Sequence, residues 1–213
     1  MGAVVSSDRP EILDVPVLAH PLVTLEPLGH AHADALVQAA AEGELWQRAR
    51  FTTVPPPEVA AMRAEIDRRR GLHAAASMVP WAVVVGGRAV GMTTYMHIDA
   101  ATPRLEIGST WIAIAHQGTG VNAAMKLLLL ERAFDRLGCV AVELRTHARN
   151  EQSRAAIERL GAHQDGILRS HVLHRGVLRD TVVSSILAAE WPDVRAGLVA
   201  RLDARARAAS GEN

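Results

Sequence analysis

Hydrophobic positions switch between helical and strand spacing along the chain. Apolar residues three and four positions apart predict helices over residues 30–42 and 58–70. Two apolar runs joined by Gly86-Gly87 then predict a β-hairpin over residues 81–98. The other predicted elements are strands over residues 22–25, 104–114, 140–146, 167–173 and 177–187, and helices over residues 118–137, 150–160 and 192–209.

This order predicts an α+β (mixed α/β) fold with a mostly antiparallel sheet flanked by helices. One parallel pair is expected, because the long helix over residues 118–137 connects two strands as a crossover. A length of 213 residues favours a single domain over residues 1–213. Within it we expect an irregular leader over residues 1–21 and a C-terminal helix and tail over residues 192–213.

Charge and composition exclude several classes of protein. Lys+Arg and Asp+Glu both count 23, and this zero net charge argues against direct nucleic-acid binding. No window approaches eighteen consecutive apolar residues, and Asp8 and Arg9 lie where a signal peptide would need an apolar stretch. With a lone cysteine, Cys139, we expect a cytoplasmic protein without membrane association. The amphipathic last helix is compatible with a homo-oligomer.

The segment His116–Asn122 lies between a predicted strand and the long helix. Gly118 and Gly120 would let the backbone approach a ligand, and the helix N-terminus offers N–H groups to a phosphate. An unliganded turn is the alternative, since an isolated G-x-G is common by chance. Gly118, Gly120 and Ala123 also satisfy G-x-G-x-x-A, with Glu143 twenty residues beyond. An NAD(P)-linked oxidoreductase therefore remains a second hypothesis, although repeated βαβ units are not predicted.

Several spaced blocks together resemble the GNAT superfamily of acyl-CoA-dependent N-acyltransferases, most closely the branch that acetylates ribosomal-protein N-termini. The resemblance covers roughly residues 20–190. The blocks are Leu105-Glu106-Ile107-Gly108, Trp111-Ile112, Gln117-Gly118-Thr119-Gly120-Val121-Asn122, Asn150-Glu151-Gln152-Ser153, Arg159-Leu160-Gly161-Ala162 and Arg179-Asp180-Thr181-Val182.

The resemblance implies a parallel strand pair splayed at a β-bulge, with an acyl-CoA between the strands. Acetyl-CoA is the expected co-substrate, with another short acyl-CoA such as succinyl-CoA as the alternative, and no metal is implied. The residues expected to bind it are Trp111, Ile112, Ala113, Ile114, Gln117, Gly118, Thr119, Gly120, Val121, Asn122, Asn150 and Ser153.

Acyl transfer to an amine needs a proton acceptor and a proton donor. The resemblance points to Glu106 as the base, although a strand carboxylate bonded to a neighbouring arginine is an equally good reading. His97 and His171 are weaker candidates for the same role. Many members place a tyrosine where this chain has Ile157, so Ser153 is the expected partner of the leaving sulfur.

The acceptor is expected to be a primary amine, on a protein N-terminus or a small molecule. The side chains expected to bind it are Trp46, Phe51, Tyr95 and His171. Arg48 and Arg50 are candidates for an acidic group of the acceptor or for a succinyl carboxylate.

Other side chains add three expectations. Lys126 is read as a surface lysine or a phosphate contact, and the Arg68-Arg69-Arg70 cluster as a solvated face. The few aromatic rings are expected to cluster around the cleft. Ala115 and Ile157 depart from the superfamily pattern, which keeps a non-catalytic acyl-CoA-binding module as a third hypothesis.

Overall fold

The computed structural model describes residues 10–49, 51–174 and 176–210. Six α-helices in this part of the chain are α1 Ala33–Ala41, α2 Leu45–Arg48, α3 Val59–Ala74, α4 Val121–Glu131, α5 Glu151–Leu160 and α6 Trp191–Ser210. The eight strands are β1 Leu18–His20, β2 Val23–Pro27, β3 Met78–Val85, β4 Arg88–Asp99, β5 Arg104–Ile112, β6 Ala141–His147, β7 His163–His174 and β8 Val177–Leu187. Helix α1 packs with α3, and α4 packs with α6.

All eight strands belong to one sheet, in the order β1-β2-β3-β4-β5-β6-β8-β7. Every neighbouring pair is antiparallel except β5 and β6. The parallel ladder joins only Arg104–Glu106 to Ala141–Glu143. Beyond it β5 stays with β4 as far as Ile112, while β6 stays with β8 as far as His147. The two central strands therefore open into a fork whose apex is Glu106 and Glu143.

A β-bulge lies on β5 just beyond the apex. Met92 pairs with Trp111 and Thr94 pairs with Gly108, so Thr93 of β4 faces two residues of β5, Ser109 and Thr110. Ser109 has a φ of 47°, in the left-handed region. The expected fold, with one parallel pair splayed at a β-bulge, is confirmed.

Several element boundaries differ from the sequence-based expectation, most clearly at the leader and at the long helix. The expected leader contains a 3₁₀ turn at Pro10–Leu13 and strand β1, while residues 1–9 lie outside the described part. The long helix begins at Val121 instead of residue 118, because Gly118 and Gly120 have φ values of 76° and 103°, which a helix does not accommodate. Its end continues as a π turn at Arg132–Arg136.

The aromatic rings are distributed through the core, so the expected clustering around the cleft is wrong. Trp81 and Tyr95 meet edge to face with 5.0 Å between ring centroids, and Phe134 stacks on Trp191 at 5.4 Å. Tyr95 has no exposed surface, and its hydroxyl donates to the carbonyl of Leu129 on α4. Tyr95 therefore links β4 to α4 inside the core, and its side chain is not accessible to an amine acceptor.

The bulge brings the backbone of β5 close to β4 at Gly91. A methyl group added there would lie 2.1 Å from the carbonyl oxygen of Trp111. We expect Gly91→Ala to lower the free energy of unfolding by about 1–3 kcal/mol, because the backbone of β5 must shift to make room for the methyl group. Urea denaturation measures this change. Gly71→Ala is the matched control: it lies in helix α3 with no atom within 4 Å of the added methyl, and it should be neutral or stabilising. Equal stability of the two variants would contradict the predicted crowding.

Candidate active site

The glycine loop ends in an uncapped helix N-terminus. Gly120 occupies the N-cap position of α4 and makes no side-chain capping bond. The first helical bond joins the N–H of Ala124 to the carbonyl of Gly120 at 2.9 Å. The N–H groups of the first helical turn, Val121–Ala123, therefore have no partner inside the helix and point toward the loop. Together with the helix dipole, this arrangement suits a phosphate group.

Hydrogen bonds within the loop, to the end of β5 and from α6 hold the loop in place. The side-chain amide of Gln117 donates to the carbonyl of Ile112 at 3.0 Å, and the Thr119 hydroxyl donates to the carbonyl of His116 at 2.8 Å. Arg205 of α6 donates to the carbonyl of Gly118 at 2.6 Å, which places a cation beside the loop. Sequence reasoning missed Arg205, since no local pattern indicates where α6 docks.

The arm of the fork formed by β5 is lined by apolar residues. Trp111, Ile112 and Ala113 are buried and Ile114 is half-buried. The indole nitrogen Nε1 of Trp111 is buried and has no hydrogen-bond partner among the described residues. From Ile107 onward β5 is paired with β4 alone. Its other edge can therefore hydrogen-bond an extended ligand.

Helix α5 begins beside the glycine loop. Asn150 caps it, its Oδ1 accepting the N–H of Ser153 at 3.1 Å, which confirms the expected helix start. The side chains of Gln152 and Gln117 approach within 3.5 Å. The N-termini of α4 and α5 thus come together at the mouth of the fork. Ile157, at the superfamily's tyrosine position, is buried in the core and brings no hydroxyl group.

Glu106 lies at the apex of the fork and is 5% exposed. Its Oε2 is 2.7 Å from Nδ1 of His97 and 3.3 Å from Nε of Arg145. Its Oε1 faces the bulge, since a methyl group added at Gly108 would lie 2.5 Å from that atom. The carboxylate therefore contacts both Arg145 and His97. Because the side chain of His97 is 56% exposed, it connects the buried carboxylate to solvent.

Lys126, the chain's one lysine, is buried, so its reading as a surface lysine is wrong. It lies on α4, four residues after Asn122. Burial lowers the pKa of its ammonium group to about 7, and the charge of Glu106 acts in the opposite direction.

Arg69 is buried too, so the reading of its cluster as a solvated face is wrong at this position. Its Nε donates to Glu65 at 2.6 Å, and its Nη2 donates to the carbonyl of Ser109 at 3.2 Å and to the Ser109 hydroxyl at 3.0 Å. Arg69 therefore holds the bulged residue of β5. Its spacing from Met62 and Ile66, four and then three residues, is the signal that could have placed it on the buried face.

The candidate acceptor residues are only partly brought together. The ring of Phe51 meets that of His147 at 4.7 Å, and Arg179 donates to the carbonyl of Phe51 at 2.9 Å. Nδ1 of His171 lies 3.1 Å from the hydroxyl of Thr181, which pairs with His147 across the sheet. Partial burial, and then the charges of Arg179 and Arg149, lower the pKa of His147.

Two other expected positions lie apart from this group. Trp46 is half-buried and packs against the core from α2. Arg48 is exposed at the end of that helix, and Arg50 lies outside the described residues. Sequence reasoning missed His147 of β6 and assigned no role to Arg179 of β8. These two side chains join Phe51 to the β6 arm of the fork and to the strand beside it.

Residues 23–163 match the family described as "Acetyltransferase (GNAT) domain". The chain belongs to the GNAT acetyltransferase family. A GCN5-related N-acetyltransferase from Brucella melitensis has a solved structure similar to this GNAT fold, with a TM-score of 0.81 and 29% identity, covering 88% of this chain and 85% of that one.

One curated protein and one further solved structure are also similar to this chain. The Bacillus subtilis protein named "Putative ribosomal N-acetyltransferase YdaF" is 33% identical over 105 residues, or 49% of this chain. The chain spans 57% of the length of that curated relative. The structure of Mycobacterium smegmatis RimJ in complex with CoA-disulfide shares the fold, with a TM-score of 0.73 and 23% identity over 88% of this chain and 93% of that one.

The GNAT topology does not support the dinucleotide-binding hypothesis. A doubly wound fold needs successive parallel strands, whereas the described sheet holds a single parallel pair. Within the described residues, no three His, Cys, Asp or Glu side chains are grouped so that they could hold a metal ion. A search of the same residues finds no helix with the length and apolar character needed to cross a membrane.

The contact between Arg69 and Ser109 predicts a specific effect on the GNAT fork. We expect Arg69→Met to lower the free energy of unfolding by about 3 kcal/mol, because a buried charge pair is broken. We also expect the affinity for coenzyme A to fall roughly tenfold, because the bulge loses its support. Urea denaturation and calorimetric titration measure the two quantities.

Arg68→Met is the matched control. Arg68 shares Glu65 with Arg69 but is exposed and bonds that carboxylate from the surface. Its loss should cost at most about 1 kcal/mol and leave coenzyme A affinity unchanged. If both variants bound coenzyme A like the parent, the bulge would not depend on Arg69.

Proposed function

We propose that the protein is an N-acetyltransferase that transfers the acetyl group of acetyl-CoA directly to a primary amine. The fork between β5 and β6 carries this proposal, because it combines an unpaired strand edge, a β-bulge and a helix N-terminus suited to phosphate. Two reactants held together in such a site react as one complex, which removes most of the entropy cost of their encounter.

The residues present fit a bound acyl-CoA. The backbone of Gly118–Val121 and the guanidinium of Arg205 would hold the pyrophosphate, and Trp111–Ile114 would hold the pantetheine arm along β5. The buried and unpartnered Nε1 of Trp111 supports this assignment, since a buried N–H donor calls for an acceptor. Acetyl-CoA supplies the activated thioester when it is bound.

Asn150 and Ser153 would meet the acyl-CoA from the other side of the mouth. Asn150 caps α5 and Ser153 lies in its first turn, and the side chain of Gln152 reaches Gln117 in the glycine loop. Thr119 and Asn122 complete the contacts proposed for this ligand. The same backbone site would also accept succinyl-CoA, so the choice of acetyl-CoA rests on the GNAT relatives described above.

Glu106 is the proposed base. The attacking amine must shed a proton, because an α-amino group titrates around 7.7–8.0. Glu106 presents Oε1 toward the bulge while Oε2 contacts His97, so a proton taken from the amine can leave through an imidazole that reaches solvent. A carboxylate that is also bonded to Arg145 can perform this task, since the arginine contacts the other oxygen.

The proposed acceptor is a protein N-terminus. The B. subtilis relative is named as a ribosomal N-acetyltransferase, and the group formed by Phe51, His147, Arg179 and His171 offers polar and aromatic contacts at the β6 arm of the fork. The positive charge of Arg179 in this group favours an acceptor that has an acidic residue near its amine. We place the reaction in the cytoplasm, where a lone cysteine is stable in reduced form.

The test is a thiol-release assay with acetyl-CoA and a panel of amines and N-terminally free peptides, with blocked peptides as negative controls. We expect Glu106→Gln to lower kcat/KM about 10²–10⁴-fold, because the amine loses its proton acceptor. Glu143→Gln is the matched control. It removes the carboxylate that faces Glu106 across the apex and shares Arg145 with it, and it should keep most of the activity.

Three results would overturn the proposal. Equal rates for Glu106→Gln and the parent would remove Glu106 from the mechanism. Acetyl-CoA binding without thiol release on any amine would indicate a binding module. A thermal shift caused by NAD or NADP, with none caused by acetyl-CoA or succinyl-CoA, would indicate a different ligand for the fork.

A further inference from the structure

Helix α6 reaches from the end of α5 to the glycine loop. A methyl group added at Gly161, the residue after α5, would lie 2.9 Å from Cγ2 of Val194 in the first turn of α6. A methyl group added at Gly120 would lie 3.6 Å from Cδ of Arg205 and 3.9 Å from Cδ2 of Leu202. The helix therefore contacts α5 near its start and the glycine loop in its C-terminal half.

Arg201 lies on the side of α6 that joins these two contacts. Val194, Leu198 and Arg201 are four and then three residues apart, so they share one side of the helix, and Arg205 follows one turn later. The side chain of Arg201 is half-buried, and its Nε donates to the carbonyl of Gly197 at 3.3 Å. Arg201 is thus positioned between the end of α5 and the glycine loop.

The cations in this region have no carboxylate partner. Within the described ranges, neither Arg201 nor Arg205 forms an ion pair, whereas Arg195 earlier on the same helix pairs with Glu131. Partial burial, and then the charge of Arg159 in the last turn of α5, lower the pKa of Arg201. A half-buried arginine that has another cation and no carboxylate beside it is suited to an anionic ligand.

Coenzyme A carries one phosphate group that has no assigned contact in the fork. The glycine loop and Arg205 would hold the pyrophosphate, but the adjoining ribose also bears a 3′-phosphate. A phosphate monoester carries about −1.5 to −2 charges at neutral pH, and a guanidinium binds it through paired hydrogen bonds. Arg201 and Arg205 are four residues apart, or about 6 Å along the helix axis. The 5′ and 3′ phosphate groups of one ribose have a similar separation.

Resting on the proposed use of acetyl-CoA, we propose that Arg201 binds the 3′-phosphate of coenzyme A. Arg205 contacts the pyrophosphate one helical turn further along, so two successive turns of α6 contact the two phosphate positions of the ribose. Helix α6 lies outside the residues 23–163 that match the GNAT family. This C-terminal helix therefore gives the protein a preference for coenzyme A over a donor that lacks the 3′-phosphate.

The experiment compares coenzyme A with 3′-dephospho-coenzyme A by calorimetric titration of the full chain. We expect the parent to bind coenzyme A about tenfold more tightly, because only this form offers the 3′-phosphate to Arg201. We expect Arg201→Met to bind both forms with similar affinity and to keep the parent's affinity for the dephospho form. That retained affinity shows that the variant is folded and that its pyrophosphate site is intact.

Two further variants serve as controls. Arg195→Met removes an exposed arginine of the same helix that pairs with Glu131, and it should keep the tenfold preference. Arg205→Met should weaken the binding of both forms by a similar factor, because both contain the pyrophosphate. The preference for coenzyme A should therefore respond to Arg201 and not to Arg205.

Several results would overturn the proposal. Equal affinity of the parent for both forms would show that the 3′-phosphate is not bound. An equal loss of affinity for both forms in Arg201→Met would give Arg201 a structural role. Equal affinities combined with thermal stabilisation of the parent, but not of Arg201→Met, by inorganic phosphate would indicate a site for free phosphate. Binding of neither form to the parent would refute the proposed function and this inference with it, whereas equal binding refutes the 3′-phosphate site alone.

Discussion

The short parallel ladder between β5 and β6 is the constraint on which the rest of this structure depends. Three residue pairs hold the strands together, and then each strand follows its antiparallel neighbour away from the other. The opening leaves one edge of β5 without a partner strand, and an unpaired strand edge inside a sheet needs hydrogen bonds. An extended acyl-CoA arm would supply them, so the fork couples the architecture of the sheet to the proposed chemistry.

Buried charges are concentrated around the same opening. Arg69 holds Ser109 at the bulge and Glu106 stands at the apex, while Lys126 is buried on α4. Each would be costly if isolated, because burial penalises the charged form. Partners reduce that penalty for Arg69, which bonds Glu65 and Ser109, and for Glu106, which contacts His97 and Arg145. The protein's zero net charge therefore conceals a local arrangement of strong charges.

The sequence predicted those features that local patterns encode. Gly118 and Gly120 indicated the loop, Asn150 indicated the start of α5, and Glu106 stands at the expected place on the strand that enters the bulge. Tyr95, Lys126 and Arg69 were misread because their environment is set by packing between distant elements. Residue type suggested an accessible ring and solvated cations, whereas helix and sheet contacts bury all three. For Arg69 the spacing from Met62 and Ile66 in α3 indicates the buried face, but the residue type led to the prediction of a solvated side chain.

Hydrogen–deuterium exchange in the presence and absence of acetyl-CoA tests the central claim most directly. If the fork and the glycine loop hold the acyl-CoA, the segments Trp111–Ile114 and Gly118–Val121 should exchange more slowly when acetyl-CoA is bound, because the ligand covers them and accepts the N–H groups that have no protein partner. The N-terminus of α5 at Asn150–Ser153 should show a smaller change. Protection confined to other parts of the sheet, with unchanged exchange at both segments of the fork, would contradict the account.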